Sequence, residues 1–308
     1  MRHYILFIIT LFLFTGCVED FDLKLQNTDP RLVVEGLITN KPGPYYISLT
    51  KSKTGTFTVL NYNYINNAEL VRDATVIISD DFGQLDTLKL IQINDNSNSR
   101  DKWFKGSYKT SKLIGIPGHT YSLKIKVWNK EFKALSYMPP VPDIDSLRYF
   151  MKTAEKDGQE YYIPLLNFKE PQGIDNYYLV QLKDEFSLSL IVNTYIWQYS
   201  IFSDIHLKPY VSNLNISLGA NPRGITYPHY WEGDSIYVAL SSLSKEAYIY
   251  YKALLDQFEN DGGAYKPTPT SPLGNISNGG LGLFRASAFS EKRTKIQKTS
   301  NLNLLPMK

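Results

Sequence analysis

Short runs in which apolar and polar side chains alternate every second residue recur along most of the chain, and this is the period of a half-buried strand. Leu32 to Ile38 reads as a first strand, and Lys41-Pro42-Gly43-Pro44 as a turn. Tyr45, Ile47 and Leu49 then alternate with Tyr46, Ser48 and Thr50, which predicts a hairpin with one buried face. Ala74, Val76 and Ile78 repeat the pattern before a turn at Asp80 to Gly83, and Trp103 to Tyr108 predicts a further short strand. Tyr121, Leu123, Ile125 and Val127 interleave with Ser122, Lys124, Lys126 and Trp128, and Glu131 to Ser136 closes the series. Strands this short, separated by turn residues, predict a sandwich.

Three prolines in Met138-Pro139-Pro140-Val141-Pro142 lack amide donors and fix their torsions, so no ladder continues there and a domain boundary is placed at a stiff linker, 139–143. Beyond it, Leu147 to Met151, Tyr161 to Phe168, Asn176 to Leu182 and Ser235 to Leu240 read as strands. One helix is predicted near 245–259, capped by Ser244, with Tyr248, Tyr251, Leu254, Leu255 and Phe258 at helical spacing and Asp261-Gly262-Gly263 ending it. Between Phe186 and Asn221 the strand signals weaken into a long irregular region. The predicted fold class is mainly β: an immunoglobulin-like or transthyretin-like β-sandwich over 32–138, followed by a second β-rich domain with one packed helix over 144–290, and a basic tail over 291–308.

The first residues follow a different pattern. Tyr4 to Phe14 is an apolar run of eleven residues, long enough for an export signal and too short to span a bilayer. Phe14-Thr15-Gly16-Cys17 resembles a lipobox, so residues 1–16 are expected to be a lipoprotein signal peptide and Cys17 to carry a diacylglycerol and an N-acyl lipid. Cys17 is the only cysteine of 308 residues, which excludes disulfides and thiolate metal sites. Residues 17–31 then form a lipidated tether. Its acidic cluster, Glu19, Asp20 and Asp22, resembles an export signal for the outer face of the outer membrane, the preferred placement, although a solvated tether would have the same composition.

Charge narrows the list of partners. Removing residues 1–16 takes away one of the 33 basic side chains and none of the 30 acidic ones, leaving a formal charge of +2. The one dense basic run, Glu291 to Lys298, reads as a frayed tail, so nucleic acid is not an expected partner. Tyrosine (23) and phenylalanine (15) are abundant, in keeping with pleated, half-buried surfaces.

Leu32 to Asn40 with Pro42-Gly43-Pro44, and Gly274 to Phe284 with its glycines at 274, 279, 280 and 282, resemble a family of Bacteroidota lipoproteins carrying the label domain of unknown function 4249. The resemblance implies association with a TonB-dependent receptor of the outer membrane and supplies no catalytic residues. On physical grounds the second glycine run reads as a place where backbones approach closely or turn sharply.

No catalytic or metal-ligating set is expected. His119, His206 and His229 are far apart, and no phosphate cradle or nucleophile elbow occurs. A pair of facing carboxylates, the requirement of a glycosidase, is a spatial feature that spacing does not show. Tyr195, Trp197, Tyr199, Tyr227, Tyr230 and Trp231 cluster in or beside the irregular region and are the candidate contacts for a glycan, a peptide or a protein partner. The same side chains also suit a core or a receptor-facing surface. The expected function is a non-enzymatic accessory of a TonB-dependent nutrient importer, anchored in the outer-membrane lipid leaflet and exposed at the cell surface. The alternatives are a free-standing glycan- or peptide-binding lipoprotein and, with less support, a hydrolase.

Overall fold

The computed structural model describes residues 29–52, 69–92, 101, 104–153, 158–182, 199–216, 230–259 and 272–297. From Arg31 onward these residues belong to one compact unit. Its described part is mainly β, with four sheets and one α-helix.

The first two sheets share a core. One contains β1 (Leu32–Thr39), β2 (Tyr46–Lys51), β5 (Lys89–Leu90), β6 (Tyr108–Lys109) and, from far along the chain, β15 (Leu281–Ser287), in the order β15-β1-β2-β6-β5. The other runs β4-β3-β7-β8, built from β3 (Thr75–Asp80), β4 (Leu85–Thr87), β7 (Thr120–Val127) and β8 (Lys130–Tyr137). Alternation decides which side chains meet. Val34, Ile38, Ile47 and Leu49 face Val76, Ile78, Leu123 and Ile125 and are all buried, and Phe284 of β15 joins the same core. Of the strand expected over Trp103 to Tyr108, Trp103 lies outside the described residues and the rest reduces to Tyr108–Lys109, because Phe104 to Gly106 turns with Gly106 at φ +80°.

The other two sheets form a second sandwich. β9 (Ile144–Thr153), β10 (Glu160–Lys169) and β13 (Tyr210–Asn215) pair in the order β13-β10-β9. They face β11 (Tyr177–Leu182), β12 (Tyr199–Ser203), β14 (Ser235–Leu243) and β16 (Phe289–Lys295), ordered β12-β11-β14-β16. Leu166, Phe168, Tyr178, Val180, Val238 and Leu240 fill the space between them. Two expectations are corrected here. The region from Phe186 to Asn221 contains β12 and β13, whose polar, half-exposed sequences carry little alternation. The basic run after Ser290 is not a frayed tail through its described length: residues 291–295 pair with β14 at the sheet edge, where Lys292, Arg293 and Lys295 point to solvent. Exposed lysines on such an edge discourage pairing with a second chain.

The two cores do not follow the linear order of the chain. Residues 281–287 lie beyond the prolines, yet β15 pairs in parallel with β1 from Val33↔Leu281 to Thr39↔Ser287. One residue later the chain passes into β16 of the second sandwich. The joint is tied by polar groups: the Ser242 hydroxyl donates to the Pro139 carbonyl at 2.5 Å and accepts from the Ala288 amide at 3.1 Å, and Asn40 exchanges two hydrogen bonds with the Phe289 backbone. Val141 of the proline linker packs on both cores.

The helix α1 (Lys245–Glu259) starts where the Ser244 hydroxyl accepts the Ala247 amide at 3.2 Å. Ala247 and Tyr251 are buried against Leu179 and Leu243 of the second sandwich and Leu283 of β15, so the helix lies over the place where the two sandwiches meet. β14 is buried at every position from Ile236 to Leu243, with Leu243 against the helix and Tyr237 and Ala239 against Leu37 and Phe289. A strand packed on both faces reads as a continuous apolar run.

Candidate functional site

The glycine-rich segment before β15 is a clasp between sheet edges. Asn275 donates to the Leu135 carbonyl of β8 at 2.9 Å and to the Phe284 carbonyl of β15 at 2.7 Å, and it accepts from the Phe284 amide at 3.0 Å. Ser277 adds a reciprocal pair with Lys133, and the Asn278 side-chain amide reaches the Glu131 carbonyl. An open edge of unpaired backbone groups is thereby satisfied from one loop. Gly282, at φ +89°, brings its backbone so close to Val34 that a Cβ would overlap the Val34 carbonyl. The structural role expected of these glycines is what the geometry shows.

On the outer face of the same strand pair lies a cluster that spacing alone does not reveal. Glu35 sits between Leu283 of β15 and Ser48 of β2 and is half-buried. Burial raises its carboxyl from the usual carboxylate range to about 7. Arg285 stands two residues along β15 from Leu283, only 1% exposed, with its guanidinium 5.2 Å from the Tyr251 ring centroid and 6.0 Å from that of Phe289. Tyr250 and Tyr251 of α1 complete the group, and burial, followed by electrostatic coupling, raises the Tyr250 phenol. Burial thus favours the protonated form of Glu35 under a helix that joins both sandwiches. The available sequence signal was a single charge inside an otherwise apolar strand, once in Leu32 to Ile38 and once in Leu281 to Ser287.

A second buried carboxylate holds a turn. Glu170, 2% exposed, accepts from the Tyr178 hydroxyl at 3.0 and 2.9 Å and from the Asn176 side chain at 2.9 Å. Asp204 accepts from the Asn176 amide at 2.9 Å, and its charge adds to the burial that raises Glu170. These two acids are near one another, but their oxygens are engaged in closing the connection between β10 and β11.

The candidate aromatic contacts divide. Cys17, Glu19, Asp20, Asp22, Tyr195, Trp197 and Tyr227 lie outside the described residues, and Tyr199 is the first residue of β12, paired with Gln181. Tyr230 bridges Tyr162 and packs, half-buried, on the second core, where burial and then Asp234 push its phenol up to about 12. Trp231 beside it is 50% exposed, and its amide donates to Asp234 at 2.8 Å. Strand register brings described residues together there: Leu182 and Tyr199 lie at the Val238 end of their sheet, and Asn215 and Tyr230 lie next to Leu165 and Tyr162. Tyr230 and Trp231 therefore lie, with Leu182, Tyr199 and Asn215, at the end of the second sandwich remote from the joint.

Two β-sandwiches sharing an exchanged strand, clasped by an asparagine- and glycine-rich loop and bridged by one helix, define the class of protein. Residues 18–293 match the family model described as domain of unknown function (DUF4249), and the chain belongs to that family. No curated protein matches the chain.

Proposed function

We propose that this chain is a non-enzymatic outer-membrane lipoprotein, held by acyl groups on Cys17, that acts as an accessory or binding partner of a TonB-dependent nutrient importer. The observation that carries the reading is the polarity of the strands. β1 and β15 both run from the end that carries Arg31 toward the joint, and β16 continues from the joint to the end that bears Tyr230 and Trp231. An anchor before Arg31 attaches at the end where β1 starts, and the aromatic end of the second sandwich lies away from that attachment and is free to meet a partner. Aromatic side chains with an apolar body and a polar tip are enriched where protein surfaces meet.

Co-purification from outer membranes in mild detergent tests this. Recovery of a TonB-dependent receptor in constant ratio supports the reading, and repeated recovery of the lipoprotein alone refutes it. The exposed Trp231 favours a second reading, a free-standing binder of glycan or peptide, to which ligand screening with wild type and Trp231→Ala is the corresponding test. A hydrolase has less support, because the neighbouring acids Glu170 and Asp204 are committed to hydrogen bonds within the fold.

A further inference from the structure

The turn between β7 and β8 is built from Trp128 at φ +52° and Asn129 at φ +55°. A two-residue turn of this hand favours asparagine and glycine, and a bulky aromatic residue in the left-handed region is a conformational outlier. The indole is 37% exposed, with the Lys51 ammonium 5.7 Å from its ring centroid. Nothing about the turn itself calls for tryptophan. Backbone outliers of this kind persist where a side chain is needed in that place.

The position is informative. Lys51 pairs with Leu32, the first residue of β1, so the Trp128 turn lies at the end of the first sandwich where the chain enters the fold. Arg31, at that entry, donates from its side chain to the Gly279 carbonyl at 2.6 Å. The same end and the adjoining outer face of β7 and β8 carry Arg31, Lys51, Lys124, Lys126, Lys130 and Lys133 against Glu69, Asp73 and Glu131. Three of these lysines share the single carboxylate Glu131, at 3.2, 3.9 and 3.0 Å. Basic charge is therefore in excess around an exposed indole.

We propose that this end of the first sandwich is a lipid-contact surface, in which Trp128 enters the headgroup layer and the surrounding lysines meet anionic lipid phosphates. Tryptophan prefers that layer, and the long lysine stems let their ammonium groups reach the phosphates. Each lysine near an anionic leaflet strengthens the attraction within about one Debye length. The proposal deepens the lipoprotein reading and rests on it: Arg31 lies fourteen positions after Cys17, a span of at most about 50 Å when fully extended. The contact would fix the orientation that a tether of that length leaves free.

The test uses the mature chain with Cys17→Ser, so that binding reports the surface without the anchor. Sedimentation with vesicles of equimolar phosphatidylcholine and phosphatidylglycerol should show binding that vesicles of phosphatidylcholine alone do not support. The double variant Lys126→Glu, Lys130→Glu should weaken it by roughly tenfold or more. Lipids brominated on the acyl chains should quench part of the tryptophan emission, and Trp128→Phe, checked for unchanged thermal unfolding, should remove that part. No binding, equal binding to both vesicles, or full retention by the double variant would overturn the proposal. The mass of wild-type protein extracted from membranes is read separately. A chain without acyl groups overturns the anchor whatever the vesicles show, whereas an acylated chain whose Cys17→Ser form ignores anionic vesicles overturns the lipid-contact surface alone.

Discussion

Replacing Gly282 by alanine should destabilise the protein far more than replacing Gly279, although both have positive φ, three residues apart in one loop-to-strand segment. At Gly279, φ +72°, an added Cβ meets nothing within 4 Å. The cost there is the left-handed backbone alone, roughly 1–2 kcal/mol for a residue other than glycine. At Gly282 the same backbone term applies, and the Cβ also overlaps the Val34 carbonyl. That neighbour is backbone held in the β1–β15 ladder and cannot swing aside as a flexible side chain would. Overpacking adds about 1–3 kcal/mol, so the total is roughly 2–5 kcal/mol. For a chain of this size each kcal/mol lowers Tm by roughly 1.5–2 °C. Urea titration of the Cys17→Ser chain and its two glycine variants, with thermal scans as a second probe, measures the difference directly. Equal losses for the two variants would refute the argument that parallel pairing of β1 with β15 depends on close backbone approach at this residue.

Two further outcomes follow from buried acids. Glu35 binds its proton more tightly in the folded chain than in the unfolded one, so the folded state holds more protons between pH 4.5 and about 7 and stability falls as pH rises through that window. The full effect is about 3 kcal/mol. Because Glu170 is shifted in the same direction and Asp86 in the opposite one, the measurement is the difference in Tm against pH between wild type and Glu35→Gln; parallel curves would show that Glu35 is not desolvated. Tyr178→Phe removes the hydroxyl that bonds both Glu170 oxygens and leaves a buried carboxylate short of partners, a loss of roughly 1–3 kcal/mol. An unchanged urea midpoint would mean that Glu170 is satisfied without it.

Local pattern carried much of this fold. The alternation in Tyr121 to Val127 specified a half-buried strand because side chains point to opposite faces every residue, and Ser244 with the apolar stripe behind it specified α1 because cap and spacing are both local. The glycines at 274, 279, 280 and 282 announced tight packing, though not its partner. Tertiary structure alone decided that β15 leaves its neighbours in sequence to pair with β1, since a parallel partner is chosen by long-range burial and not by any adjacent turn. It also decided that polar stretches such as Tyr210–Asn215 and Phe289–Lys295 become edge strands, where one side of the ladder suffices and alternation is weak. Glu35 and Arg285 were visible only as charges in apolar runs. Their common environment beneath Tyr250 and Tyr251 exists because a helix and two strands, separated by more than two hundred residues in the case of β1, converge on one face of a sheet.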